Sequence, residues 1–339
     1  MLRPVDNPPN PYHSDHVEWL GPPPTTEVKV YEEEAKSILA KNDSPDVHFK
    51  WSLNPYRGCF HACAYCYARP SHEYLGFGAG TDFETKIVVK SNAPELLHQQ
   101  FMKKSWVGEM VSFSGDTDCY QPLEASWKLT RRCLEVCAEF RNPVDIITKA
   151  LLIRRDIDVL QEMSEEGCVH VLFSIAFSVD KIAKKVEPHA PPPSKRFEAL
   201  KALSDAGIPT AVLVAPIIPG LNDRQIPEIL QRTKDAGASH ASSILLRLPG
   251  SVRNVFLSRM EREFPERIVK IEGRIRDTRG GVLSNDRFFE RHKGQGEYWE
   301  GIQRLFEVTA RRLGLDGSFD TVETSPFRRP GERQLALFE

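Results

Sequence analysis

Three cysteines, Cys59, Cys63 and Cys66, crowd one short stretch of the chain, RGCFHACAYCYARP at 57–70, with tyrosines on both sides of the last. Thiolates that share one [4Fe–4S] cluster must converge from a small loop, and the spacing Cys-x-x-x-Cys-x-x-Cys on turn-rich backbone allows that. A structural zinc ion would ask for four ligands in a closed tetrahedron. Here the fourth is missing, and within the loop only His61 could substitute for it. A Cys3His zinc site and inert surface thiols are therefore the competing readings. Three ligands on a cubane leave one iron open, and an open metal position is a catalytic arrangement.

The elements that must position this loop follow a regular rhythm. The loop is preceded by HFKWSLNPYRG, a strand-like piece broken by Asn54-Pro55 and Gly58. Short β-branched or apolar runs then recur: MVSF (110–113), VDIIT (144–148), VHVLFSIAF (169–177), TAVLVAPII (210–218) and ASSILLRL (241–248). Between them lie amphipathic stretches such as SWKLTRRCLEVCAEF, RRDIDVLQEMSEEG and PSKRFEALKALSDAG, with glycines where helices should stop. Alternating β and α units imply a parallel sheet, either open and doubly wound or curled into a barrel. Residues 1–44 read as an extended Pro-rich arm with one helix-like piece, VYEEEAKSILAK (30–41). The core spans 45–250, a C-terminal extension with a basic stretch and a helical pattern spans 251–320, and 321–339 reads as a flexible tail.

Composition narrows the function classes. The 339 residues are 40% hydrophobic and 27% charged, the range of an ordinary globular protein with a substantial core. Forty-five basic against forty-seven acidic residues give a net charge of −2, which argues against attachment to nucleic acid by bulk charge and leaves room for a local basic groove. The N-terminus has no apolar signal-like region and no apolar run is long enough to cross a bilayer, so the expectation is a soluble cytoplasmic protein without membrane contact. In a reducing compartment, seven cysteines with three clustered point to metal ligands rather than disulfides.

The cysteine spacing, the aromatic Tyr65 directly before the third cysteine and the β/α rhythm together resemble the radical SAM superfamily. The resemblance implies that Cys59, Cys63 and Cys66 bind a [4Fe–4S] cluster whose open iron takes S-adenosylmethionine. Reductive cleavage then yields a 5′-deoxyadenosyl radical, with the electron coming from a flavodoxin- or ferredoxin-like donor. By position, the turn Ser114, Gly115, Asp116, Thr117 and Asp118 would hold the methionine amino group. Lys149, Ser174 and Glu187 would face the ribose and carboxylate, and Ile218 in PIIPGLND the adenine; for Lys149 and Glu187 an exposed surface charge is the alternative. NPYRGC, TDCYQPLE, VEPHAPPP and APIIPGLND further resemble the branch related to spore photoproduct lyase, which implies an α/β fold built as a partial (βα)6 TIM-like barrel, open to a large substrate.

That branch uses a hydrogen-donor cysteine at a position matching Gly115. Cys119 stands nearby as a replacement donor or as a buried core thiol, and Tyr67 as a radical relay or a packed ring. Cys133, Cys137 and Cys168 read as core residues, with an auxiliary cluster as the alternative. Finally, Gln334–Phe338 (QLALF) resembles the peptide that docks into the bacterial sliding clamp, or else folds back onto the core. As a clamp peptide it points to a nucleic acid as substrate, for which Phe288, Phe289 and the arginines of GRIRDTRGG and RFFERHK would be a phosphate-and-stacking surface; an ordinary solvated helix flank is the alternative for those arginines. A radical SAM enzyme acting on a protein or small molecule, and a non-catalytic metal protein recruited to DNA, are the rivals.

Overall fold

The structure, a computed structural model, describes residues 27–47, 49–319 and 325–330. Its strands are β1 (Lys29–Glu33), β2 (Leu39–Lys41), β3 (Trp51–Leu53), β4 (Tyr56–Arg57), β5 (Lys86–Lys90), β6 (Val111–Phe113), β7 (Val144–Thr148), β8 (Val169–Ser174), β9 (Thr210–Ile217) and β10 (His240–Leu245). The helices are α1 (Thr81–Thr85), α2 (Ala93–Met102), α3 (Glu124–Trp127), α4 (Leu129–Glu139), α5 (Ile157–Glu165), α6 (Asp180–Val186), α7 (Pro193–Asp205), α8 (Ile226–Asp235), α9 (Val252–Glu263), α10 (Ile268–Asp277) and α11 (Glu297–Leu313).

The β-branched runs become the central strands because they are covered on both faces. β7 and β8 are buried almost throughout, as parallel strands flanked by helices must be. The large sheet has the order β10–β9–β8–β7–β6–β3–β2, and every pairing from β3 to β10 is parallel. β2 closes the other edge in antiparallel register. The six parallel strands follow one another in chain order. A doubly wound sheet reverses direction partway, and this one does not, which is the order of a partial (βα)6 barrel. A small second sheet, β1–β5–β4, sits where the chain enters the cysteine loop.

The two largest apolar clusters among the described residues fill most of the interior. The larger lies between the barrel and its helices and includes Trp299, Ile302, Phe306 and Ala310 of α11. The smaller gathers Cys63, Ala64 and Tyr65 with Phe177, Ile218 and Leu248, and α9 and α10 cover it with Phe256, Met260, Ile271 and Ile275. Fully burying side chains of this size contributes about 1.5–3 kcal/mol each. The C-terminal helices thus support the loop that carries the chemistry.

The helix expected over 30–41 does not form. Lys29–Glu33 pairs in parallel with β5 and Leu39–Lys41 pairs with β3, so strand pairing overrides the helical tendency of the Glu-rich run. Within the stretch read as a flexible tail, Phe327 stacks on Phe140 and Arg329 donates to the carbonyls of Lys103 and Trp106. Gln334–Phe338 lies outside the described residues.

Candidate active site

Cys59 follows Gly58, whose φ of +76° and close approach to His72, Ile87 and the Lys86 carbonyl (a Cβ there would meet each at 3.0 Å) leave no room for a side chain. The turn swings the chain off β4 and onto the barrel top. Cys59 and Cys63 are buried, Cys66 is partly so, and none forms a disulfide. Local turns hold the loop, with the Ala62 amide donating to Cys59 and the Cys66 amide to Cys63. Its long-range anchors are the Cys59 amide on the Phe83 carbonyl and the Ala64 amide on Val186.

The strongest brace is Arg69, wholly buried and three residues past the last cysteine. Its Nε and Nη2 donate to the Cys63 carbonyl at 3.1 and 2.9 Å. Nη1 donates to Ala79 and Gly80, and Nη2 pairs with Glu84 at 2.6 Å. Burial pushes the Cys63 thiol up to about 12 and raises Cys59 and Cys66, so the thiolate forms need a nearby cation. The fourth-ligand candidate of a zinc site is committed elsewhere: His61 Nδ1 lies 3.3 Å from Asp118. Three thiols on one braced loop, with the histidine paired to Asp118, suit a cluster that keeps one iron open.

The turn after β6 spends its side chains on the protein. Ser114, at φ +70°, accepts the Cys119 amide on its hydroxyl. Asn54 Oδ1 accepts the Asp116 and Thr117 amides, Ser71 donates to Asp116, and Thr117 donates to the Tyr56 carbonyl. Asp118 accepts from Thr148 at 2.8 Å and from the Lys149 and Tyr120 amides, besides its pair with His61. Burial would raise this carboxyl; His61 and the donated hydrogen bonds hold it at about 2. Asp118 thereby ties the cysteine loop to the end of β7.

The ends of β7 and β8 meet the loop differently. Tyr65 donates its hydroxyl to Glu187, which pairs with the fully buried Arg196, and Arg196 also donates to the Ser174 carbonyl at 3.0 Å. Burial pushes Glu187 up, but Arg196 and Lys149 prevail and hold it below the usual carboxylate range. The Lys149 ammonium stands 5.8 Å from the Tyr65 ring and within electrostatic reach of Cys63 and Glu187. No hydrogen bond or ion pair ties that ammonium among the described residues. Ile218 lies in the same apolar cluster as Cys63 and Tyr65, its amide donating to the buried Asn222. Tyr65, Lys149, Ser174, Glu187 and Ile218 are therefore brought together around the cysteine loop.

Tyr67 and Cys119 part company. Tyr67 is 52% exposed and donates its hydroxyl to the Gly115 carbonyl at 2.8 Å across the barrel mouth. Cys119 is fully buried in the larger core cluster, away from the cluster holding Cys63. A Cβ at Gly115 would stand 2.8 Å from Ser52 Cβ, closer than real contacts allow. Cys133, Cys137 and Cys168 are buried in the larger core cluster, and among the described residues no set of three His, Cys, Asp or Glu gathers around a single ion.

Sequence reasoning missed Arg69, Glu84, Arg196 and Asn222. Arg196 left a readable trace, since it interrupts the apolar stripe Pro193, Phe197, Leu200, Leu203 of α7, and a charge on such a stripe demands a buried partner. Arg69 left none, because its partners emerge only when the loop folds over α1.

Comparison with known proteins agrees with this geometry. The family model described as the radical SAM superfamily matches residues 53–233. An uncharacterized protein of Mycobacterium tuberculosis (strain H37Rv) is 36% identical over 242 residues, covering 70% of this chain and 71% of its own length. One of Methanocaldococcus jannaschii is 31% identical over 209 residues, covering 62% and 74%. Among solved structures, a spore photoproduct lyase mutant superposes with a TM-score of 0.59 at 18% identity, covering 89% of this chain and 85% of the other. A second lyase mutant, with AdoMet and a dinucleoside spore photoproduct bound, superposes at 0.57 and 17% identity over 87% and 84%. At that identity the likeness speaks to the fold, while the family match covers the cysteine loop and most of the barrel above which it sits. This chain belongs to the radical SAM superfamily, as an enzyme whose cofactors are a [4Fe–4S] cluster and S-adenosylmethionine.

Proposed function

We propose that this enzyme directs its radical chemistry at a nucleic acid. The bound cluster and S-adenosylmethionine supply a one-electron cleavage that delivers a carbon radical to substrate, fed by a reductant for which a flavodoxin- or ferredoxin-like donor is the natural class. The chain's own residues hold and orient the parts. Cys59, Cys63 and Cys66 are the metal ligands. Lys149 meets the carboxylate of the methionine moiety, Tyr65, Ser174 and Glu187 line its ribose side, and Ile218 backs the adenine. Of the β6 turn, the backbone of Ser114, Gly115 and Asp116 is placed to face the amino group, while Thr117 and Asp118 brace it. Tyr67, at the mouth, is the group that meets substrate; Cys119 serves packing.

The observation that carries the nucleic-acid reading is the rim beside β10. Phe288 and Phe289 are 52% and 60% exposed, and the Arg291 guanidinium sits 4.8 Å from the Phe288 ring centre. Asp46 fixes that rim by pairing with Arg291 and accepting the Phe289 amide, which holds Phe289 at φ +66°. Non-glycine residues of this bulk seldom adopt such a backbone, and strain of this kind persists only where surrounding contacts over-determine it. Leu245, at the end of β10, donates to His292, and Arg279 donates to four carbonyls around the segment. Arg247 reaches the same segment, its Nη1 3.2 Å from His292 Nε2. Two exposed rings on a rim braced by Arg291 and Arg279 suit stacking by unpaired bases. The terminal Gln334–Phe338 peptide, as a sliding-clamp ligand, fits the same reading.

The test is release of 5′-deoxyadenosine by reconstituted, reduced enzyme with S-adenosylmethionine, assayed against lesion-bearing DNA, tRNA and protein pools. Stimulation by a nucleic acid is expected, and it should be lost in F288A/F289A. Stimulation confined to protein or small-molecule pools would overturn the reading.

A further inference from the structure

The buried face of α9 reads Val252, Val255, Phe256, Arg259, Met260, so an arginine occupies an apolar stripe. Arg259 is 1% exposed, and among the described residues none of its three guanidinium nitrogens has a hydrogen-bond partner. The charged groups facing it are Glu84, Arg262, Arg69 and Glu263. Glu263 pairs with Arg262, the more exposed of the two, at 3.5 Å. Glu84 is already engaged by Arg69 at 2.6 Å. Burial lifts the Glu84 carboxyl above its ordinary range against the pull of Arg69, and it lowers Arg259 to about 10. The buried trio Arg69, Glu84 and Arg259 thus carries two cations on one carboxylate. An uncompensated buried charge of this kind is strongly unfavourable and calls for an explanation.

The direction in which the excess charge points supplies one. Arg69 donates two hydrogen bonds to the carbonyl of Cys63, so one member of the trio stands directly against the loop that carries the thiolates, with Glu84 paired to it and Arg259 within electrostatic reach of both. A cubane bound by three thiolates is an anion and becomes more so when it takes up an electron. In an interior of low dielectric constant such an anion is stabilised by a cation across several residues, and net charge is one of the levers that set cluster potentials. We propose that Arg259 is a positioning charge for the cluster, which, through the Arg69–Glu84 pair, compensates the anionic loop and favours the reduced state. The unsatisfied guanidinium is then a cost of the metal-free chain that cluster binding offsets. This inference rests on the family's cofactor and is independent of the substrate reading.

The experiment uses the full-length chain, reconstituted anaerobically, with Arg259→Met, Arg259→Lys and Glu84→Gln variants. The midpoint potential is read by a dithionite titration followed by electron paramagnetic resonance, and the thermal midpoint of the metal-free chain by calorimetry. For Arg259→Met the potential should move to more negative values and the metal-free chain should melt higher, since Met keeps the volume and removes the buried charge. Arg259→Lys should restore the potential of the parent. Glu84→Gln, which removes the compensating carboxylate, should shift it the opposite way, to less negative values. If Arg259→Met does not fold, the sign of the Glu84→Gln shift decides. A potential unchanged in Arg259→Met at full iron occupancy, or an unchanged or more negative potential in Glu84→Gln, overturns the proposal.

Discussion

The turn after β6 and the end of β7 lie side by side at the barrel mouth and carry the same kinds of residue, yet they use them in opposite ways. In the β6 turn, Asp116, Thr117 and Asp118 all bond to the protein itself, Asp118 to four groups at once. At β7, Lys149 contributes its amide to that network and leaves its ammonium over the Tyr65 ring. The carboxylates of the turn are spent on the protein, whereas among the described residues the Lys149 ammonium makes no hydrogen bond or ion pair. Which side chain a ligand meets therefore depends on how its neighbours are satisfied, more than on its position at a strand end.

The comparison can be broken at both ends. The largest effect is expected from Asp118→Ala, which strands His61, Thr148 and two amides. It should destabilise the metal-free chain by about 3–5 kcal/mol in a denaturant titration, and a loss below about 1 kcal/mol would mean the turn is not scaffold. Lys149→Met should weaken S-adenosylmethionine binding by about 1.5–3 kcal/mol in calorimetric titration of the reconstituted enzyme, with unfolding midpoints unchanged. Unaltered affinity would show that Lys149 serves the charge balance of the Cys63 and Glu187 surroundings and does not meet the ligand. Gly115→Cys should cost about 1–3 kcal/mol through overpacking against Ser52, read by thermal unfolding. A neutral substitution there would reopen the position to a donor thiol. The smallest effect is expected from Cys119→Ala, which should lower stability by about 1–2 kcal/mol as a core truncation while leaving S-adenosylmethionine cleavage intact.

The same contrast explains what the sequence made legible. The parallel strands announced themselves as short β-branched runs at a steady spacing, and the cysteine loop by its spacing alone. The choice between a doubly wound sheet and a barrel needed strand order, which no single segment encodes. That Lys149, Ser174 and Glu187 gather around the cysteine loop was reachable through the family resemblance, but the inward use of Asp118 was not, since a βα turn rich in Asp and Thr looks alike whether its carboxylates face a ligand or the protein. Arg69 and Glu84 are fifteen positions apart and meet only after the loop closes. The stretch 30–41 misled because local helix preference was overruled by the sheet edges that Lys29–Glu33 and Leu39–Lys41 complete.

The most direct test of the account is iron stoichiometry and reductive cleavage measured on the same anaerobic preparation. The protein should be brown, with about four irons per chain, and release 5′-deoxyadenosine when reduced with S-adenosylmethionine, both properties being lost when any one of Cys59, Cys63 or Cys66 becomes alanine. Zinc in place of iron, or colour and turnover that survive such a replacement, would contradict it.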